Sequence, residues 1–407
     1  CNQPNGISVD PETHLLPYPN QIFLQKNTIN LGKGLNVSNG IYSSYLKDQL
    51  LMNNIPNDKG VKVIFEKSNL DTLGDEGYQL IAKNNKISIL SNTKAGTFYG
   101  IQTLIQLTKL GVVQELEIID KPQFKWRSYM LDEGRYFQGK EVVKYILNEM
   151  AHLKMNVFHW HLTDDAGWRI EIKKYPLLTQ IGSKRDSTQI NYQGKKWGSE
   201  VFDGIPHEGF YTQDDIKEIV AYAENLNITI VPEIAMPGHA SAAIASYPFL
   251  GSSTQPIKVP ERFGVGEVIF NPASPKTITF IQDVLKVLGS FFLIYLAYKI
   301  SFSKSSSGNL INNPVKFLES YFFQFINPKG VSVAIITIVT FVDSTNYYLM
   351  HSLWIIGISF FFACFSISFW SLLGKFLRRF ATNEKFIKRF NYAMSLLLVS
   401  CIATFYL

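Results

Sequence analysis

The chain has 407 residues, 46% hydrophobic and 18% charged, with a net charge of +6 and three cysteines; it is long enough for two or three domains and too poor in cysteine for a disulfide framework. The charge is uneven, with 11 Lys+Arg against 3 Asp+Glu in residues 284–407 and 28 against 30 before them. The basic excess flanks apolar sequence and comes with no nucleic-acid motif, so a nucleic-acid partner is not expected.

Residues 1–14 read as a polar tether containing Pro and Gly. Cys1 is a candidate for lipidation, as an N-terminal cysteine exposed by signal-peptide cleavage in a bacterial cell envelope. Residues 15–122 are expected to form a small α+β domain. Val61, Val63 and Phe65 alternate with polar neighbours, as do Tyr78, Leu80 and Ala82. A turn at Asn84-Asn85 leads to Ile87 and Ile89, which predicts a hairpin. Phe98, Ile101, Leu104 and Ile105 then fit one face of a helix.

Residues 123–283 alternate strand and helix. Ser128–Asp132 reads as a strand, and Val143, Ile146, Leu147 and Met150 as the apolar stripe of a helix. Asn156–Leu162 is the second strand. Thr212 can cap the next helix, with Asp215 three residues on. Ile228–Pro232 is the third strand and Thr277–Leu288 the third helix. Repeated βα units predict an α/β fold with a parallel sheet, open or closed into a barrel.

Residues 284–407 are expected to be an α-helical transmembrane region. Val284–Ile300, Phe322–Val342, Tyr347–Leu373 and Met394–Leu407 are apolar segments. Tyr347–Leu373 has no Asp, Glu, Lys or Arg and exceeds the roughly 20 residues a bilayer crossing needs. Lys304 and Lys316 lie between the first two segments, with Lys299 and Lys329 in the facing parts of those segments. Lys375, Arg378, Arg379, Lys385, Lys388 and Arg389 lie between the last two. Both loops belong on the cytoplasmic side, which places the N-terminal half outside and makes membrane lipid a partner. The abrupt change near Asp283–Leu288 reads as a junction in a truncated fusion.

The polar chemistry collects at strand ends, where such folds place their sites. The first strand ends Leu131-Asp132-Glu133-Gly134-Arg135, and a planar guanidinium there suits hydroxyl or carboxylate recognition. The second ends His159-Trp160-His161-Leu162-Thr163-Asp164-Asp165, the third Val231-Pro232-Glu233-Ile234-Ala235-Met236-Pro237-Gly238-His239. The paired histidines share a face, but no third ligand follows at a recognisable spacing, so neither a metal nor a cofactor is expected. Glu233 and His239 can converge with Asp164 at one mouth.

These segments resemble the family 20 glycoside hydrolases, the β-N-acetylhexosaminidases. The carrying residues are Leu131-Asp132-x-x-Arg135-Tyr136-Phe137, His159 to Asp165 with Gly167-Trp168-Arg169, and Pro232-Glu233-Ile234-x-Met236-Pro237-Gly238-His239. Gly96-Thr97-Phe98-Tyr99-Gly100 resembles the domain before that family's barrel. The resemblance implies a (β/α)8 TIM-type barrel, here partial, that removes terminal N-acetylhexosamine from glycans with retention. The substrate's own acetamido oxygen attacks the anomeric carbon, an exception to the enzyme-nucleophile scheme. By similarity Arg135 would hold sugar hydroxyls. Asp164, His239, Glu233 and His161 would form the supporting polar network.

The family's adjacent Asp-Glu pair after the fourth strand has no counterpart: no Asp or Glu occurs between Asp283 and Glu319. Gly74-Asp75-Glu76 copies the letters but precedes a strand of the small domain and is expected to be an exposed turn. Ala235 stands where the family usually carries aspartate. The resemblance therefore implies a hydrolase-type chain without its acid, expected to be inactive. Residues 284–407 are similar to the C-terminal half of lysine-exporter-type amino-acid efflux proteins, through Leu288-Gly289-Ser290-Phe291-Phe292-Leu293-Ile294-Tyr295-Leu296-Ala297 and Phe325-Ile326-Asn327-Pro328-Lys329-Gly330. The alternative function is a transport or scaffold protein with a carbohydrate-binding remnant.

Overall fold

The computed structural model describes residues 15–285, except 58, 110, 191–200, 254, 265 and 267, together with 350, 353, 354, 357 and 384–406. The chain divides into two units, Cys1–Ile281 and Gln282–Leu407.

The first unit opens with a six-stranded sheet in the order β1-β6-β4-β5-β3-β2. Its strands are β1 (Gln21–Asn30), β2 (Leu35–Val37), β3 (Val61–Lys67), β4 (Tyr78–Lys83), β5 (Lys86–Ser91) and β6 (Val112–Asp120). The predicted hairpin is β4–β5. Asn84 and Asn85 both sit in the left-handed region, at φ 53° and 56°, as a two-residue hairpin turn of matching twist requires. Helices α1 (Ser43–Met52) and α2 (Lys94–Thr108) cover the sheet. The Thr93 hydroxyl accepts the Gly96 N–H and so caps α2. A Cβ at Gly100 would lie 2.6 Å from Ile89 Cγ2, so α2 approaches β5 closer than alanine permits. Strands β1, β2 and β6 and helix α1 were not legible: β1 is largely exposed along its length, so little apolar alternation marks it.

The βα units follow: β7 (Ser128–Asp132), α3 (Lys140–His152), β8 (Val157–Asp164), the short β9 (Gly167–Trp168), α4 (Leu177–Gln180), β10 (Lys184–Arg185) and β11 (His207–Glu208), then α5 (Gln213–Asn225), β12 (Thr229–Ile234) and α6 (Ser241–Ser246). Strands β7, β8 and β12 run parallel in the order β12-β8-β7. The expected cap on α5 is a full capping box: Thr212 Oγ1 accepts the Asp215 N–H, and the Asp215 carboxylate accepts the Thr212 N–H. Residues 275–285 are helical, overlapping the span expected for the third helix.

Buried charge joins the two parts of this unit. Lys154, 7% exposed and at φ 57°, places Nζ 2.8 Å from Tyr78 Oη and 2.9 Å from Asp120 Oδ2. Arg127 Nη1 meets Glu76 Oε2 at 2.8 Å, and Asn156 Nδ2 donates to Glu76 Oε1 at 3.1 Å. The Gly74-Asp75-Glu76 sequence is therefore only in part the exposed turn expected of it. Asp75 is exposed, but Glu76 is half-buried and ties the sheet domain to the root of β7.

In the second unit α7 (Glu384–Tyr406) is a 23-residue helix. It contains the expected segment that begins at Met394, but Glu384, Lys385, Lys388 and Arg389 occupy its first turns. No helix among the described residues is long and apolar enough to cross a membrane. Too short an apolar stretch remains after the charged turns, against the roughly 20 residues required. Cys1, Tyr347–Leu373 as a continuous segment and the exporter-like motifs lie outside the described residues.

Candidate active site

Register builds the site. Asp132 pairs with His161 across β7–β8, and Glu233 pairs with His161 across β12–β8. Three polar side chains from three strands thus stand in one row at the carboxyl end of the sheet. Beyond them, Asp132 Oδ1 accepts the Arg135 N–H at 3.0 Å while Oδ2 meets Arg135 Nη1 at 2.5 Å. Arg135 Nη2 reaches Asp164 Oδ2 at 2.9 Å. The Arg135 side chain remains 38% exposed, enough to offer donors to a ligand, whereas that of Asp164 is 2% exposed.

His161 lies between two acids, with Nε2 3.1 Å from Asp164 Oδ2 and Nδ1 3.0 Å from Glu233 Oε2. The Asp164 hydrogen bond, opposed by burial and helped by Glu233, lifts its pKa to about 9. It is an imidazolium at neutral pH. Burial opposes ionisation of Asp164, but the His161 hydrogen bond and the Arg135 charge outweigh it and hold the carboxyl below its ordinary range. Glu233 is lowered too: burial opposes, and His161 and His159 prevail. Its Oε2 also lies 2.6 Å from His159 Nε2. His239, at φ 53°, directs Nδ1 to within 3.3 Å of Asp164 Oδ1 and 3.2 Å of Asp165 Oδ2. All five residues expected at the mouth, Arg135, His161, Asp164, Glu233 and His239, belong to one connected cluster.

Asp164, Asp165 and His239 bring potential ligand atoms within 4.8 Å of one another. Their oxygens are already engaged. Asp165 accepts Ser241 N–H at 3.0 Å, Ser241 Oγ at 2.6 Å and Gly266 N–H at 3.0 Å, and Asp164 takes His161 and Arg135. The donors present satisfy these carboxylates as a hydrogen-bonded network rather than as a cation cage. Ala235 donates its N–H to Thr163 Oγ1 at 3.0 Å.

Two residues of consequence, Glu133 and Arg169, were given no role by the sequence, although Arg169 stands in the family motif. Glu133, next to Asp132, is fully buried, accepting the Tyr211 hydroxyl at 2.9 Å and the Gln138 N–H at 3.3 Å. Burial, outweighing these hydrogen bonds, pushes its pKa to about 7. Asp132-Glu133 is thus an adjacent Asp-Glu pair with one proton-holding member. Glu133, however, lies in the turn just past the end of β7. Asp132 points to the cleft and Glu133 into the interior, where no glycosidic oxygen can reach it. Arg169, also fully buried, extends beneath the same loops. Its place in the Gly167-Trp168-Arg169 segment of the family motif was the available signal for it.

Residues 124–298 match the glycosyl hydrolase family 20 catalytic domain, and residues 12–121 match domain 2 of the same family. The N-terminal two-thirds of this chain is a family 20 β-hexosaminidase region. A β-hexosaminidase of Porphyromonas gingivalis is 39% identical over 231 residues, 54% of this chain and 28% of that protein. One from Vibrio furnissii is 34% identical over 314 residues, 74% of this chain and 50% of the relative. The structure of a family 20 β-N-acetylhexosaminidase from Streptomyces coelicolor aligns with TM-score 0.59 at 30% identity, covering 69% of this chain and 58% of that one. A Vibrio harveyi exo-β-N-acetylglucosaminidase bound to N-acetylglucosamine aligns with TM-score 0.56 at 32% identity, covering 68% and 44%. The chain thus spans roughly a quarter to a half of these two curated relatives. The family 20 region has a TIM-barrel-like α/β fold with a preceding domain.

Proposed function

We propose that this family 20 region binds terminal N-acetylhexosamine of β-linked glycans, with Arg135 as the principal hydroxyl-binding group. The observation that carries the reading is the position of Arg135. It is tethered by Asp132 and Asp164 yet partly open, so its fork is pre-oriented before a sugar arrives. The similar Vibrio harveyi enzyme holds N-acetylglucosamine, which supports the same class of ligand here.

The proposal extends to catalysis. The hexosaminidase reaction needs a carboxylic acid over the leaving oxygen and a carboxylate beside the acetamido group. Among the described residues Glu133 alone combines a neighbouring aspartate with a pKa near 7, and it is shut away from the cleft. On this reading the described region by itself binds amino sugar without hydrolysing it. Calorimetric titration with N-acetylglucosamine tests binding: heat with the wild type, lost in Arg135→Ala, is expected, and no heat from any N-acetylhexosamine refutes the reading. Release of nitrophenol from a nitrophenyl N-acetylglucosaminide well above the buffer rate refutes the inactive state. A membrane-embedded tail within residues 284–407 is proposed on the hydropathy of Tyr347–Leu373 alone, and resistance of the full chain to alkaline extraction from membranes tests it.

A further inference from the structure

We propose that Arg169 is a positioning residue of the sugar site, clamping through its guanidinium the two loops that carry Arg135 and Asp164. The inference rests on the sugar-binding reading above. Arg169 is fully buried, and its donors go to backbone carbonyls: Nε to Glu133 O at 2.9 Å, Nη1 to Ser183 O at 2.7 Å and Gly209 O at 3.1 Å, Nη2 to Gly134 O at 3.3 Å and Ala166 O at 3.5 Å. Glu133 and Gly134 immediately precede Arg135, and Ala166 follows Asp164-Asp165. One planar cation therefore gathers the backbone on both sides of the Arg135–Asp164 ion pair.

The surrounding chain is shaped for that role. A Cβ at Gly167 would fall 2.2 Å from Arg169 Nη2, so the strand passes directly over the guanidinium. A Cβ at Gly134 would meet the Asp164 backbone nitrogen at 3.0 Å, so the two loops touch where the clamp joins them. The Glu133 and Gly134 N–H groups both donate to His161 O at 3.0 Å, which fixes the same peptides from the other side. A buried cation tolerates little loss of its donors' partners, so these carbonyls cannot drift without cost. Arg135 keeps its place for that reason, although its own side chain is partly in solvent.

Lysine at 169 keeps the charge but offers one ammonium in place of a five-donor fork. Full-length Arg169→Lys is expected to bind N-acetylglucosamine about tenfold more weakly at a temperature where its circular dichroism matches wild type. Unchanged affinity overturns the inference while leaving the sugar-binding reading intact. Hydrogen exchange decides independently of any sugar. Faster exchange in residues 132–137 and 164–168, with protection of the β4–β5 hairpin retained, supports the clamp; uniform acceleration or none overturns it. Should the lysine variant not fold, Gly167→Ala, which displaces the guanidinium, is expected to give the same local exchange pattern.

Discussion

Arg135 and Asp164 form a 2.9 Å ion pair in which the carboxylate is buried and the guanidinium is partly open, linking the loop after β7 to the end of β8. The asymmetry makes one member a fixed base and the other a tethered hand. It also sets what each substitution costs.

Removing the hand exposes the base. Arg135→Ala leaves Asp164 with His161 and the Asp165 N–H as remaining donors. Because Arg135 is partly solvated, the expected loss is about 1–2 kcal/mol in urea at pH 7, less than for a fully buried pair. The folded-state pKa of Asp164 is depressed, so its contribution is present above the ordinary carboxyl range and lost as pH falls through the folded value. The gap between wild type and variant should close in acid below the ordinary aspartate range.

His161 carries the opposite sign. Its folded pKa of about 9 lies above the ordinary 6.5, so its stabilisation is full below 6.5 and disappears as pH rises through 9. Asp164→Asn removes the main cause of that elevation. Histidine Cε1 NMR titration should show the His161 midpoint falling by one unit or more, about 1.4 kcal/mol of lost interaction per unit. An unmoved midpoint would assign the elevation to Glu233 instead.

Glu133 works against the fold at neutral pH. Its carboxyl is raised from 4.5 to about 7, so its favourable neutral form contributes fully below 4.5 and that contribution fades as pH climbs through 7. Glu133→Gln keeps the shape and cannot ionise. Relative to wild type it should gain stability between pH 4.5 and 7, reaching about 2–3 kcal/mol at pH 8. Parallel denaturation midpoints across that range would contradict the buried, protonating carboxyl.

Lys154 tests how the two parts of the first unit are joined. Its Nζ is bonded to Tyr78 and Asp120 inside the contact. Lys154→Met strands a buried carboxylate and should cost about 3–5 kcal/mol in guanidinium unfolding. Adding Asp120→Asn should recover a large part of that loss, because the remaining groups are uncharged; an additive double variant would mean that the charges do not interact.

Much of the site could be read in the chain. The strand spans of β7, β8 and β12 follow from apolar runs bounded by polar residues, and the α5 cap from Thr212 and Asp215. Arg135, Asp164 and His239 stood out because polar residues at three successive strand ends have no packing purpose. Glu133 and Arg169 did not stand out, since a buried titratable side chain looks like an exposed one in sequence. Glu76 was misjudged for a related reason: its partners Arg127 and Asn156 lie 51 and 80 residues away.

The sequence by itself determined the family 20 fingerprint, the parallel βα units and the absence of Asp and Glu between Asp283 and Glu319, because these depend on residue type and local period. Only the tertiary structure decided that Asp132 faces the cleft and Glu133 the interior, that His161 sits charged between two acids, and that Arg169 gathers five carbonyls beneath them. Those outcomes depend on cross-strand register and on exclusion of water, which the folded arrangement alone creates.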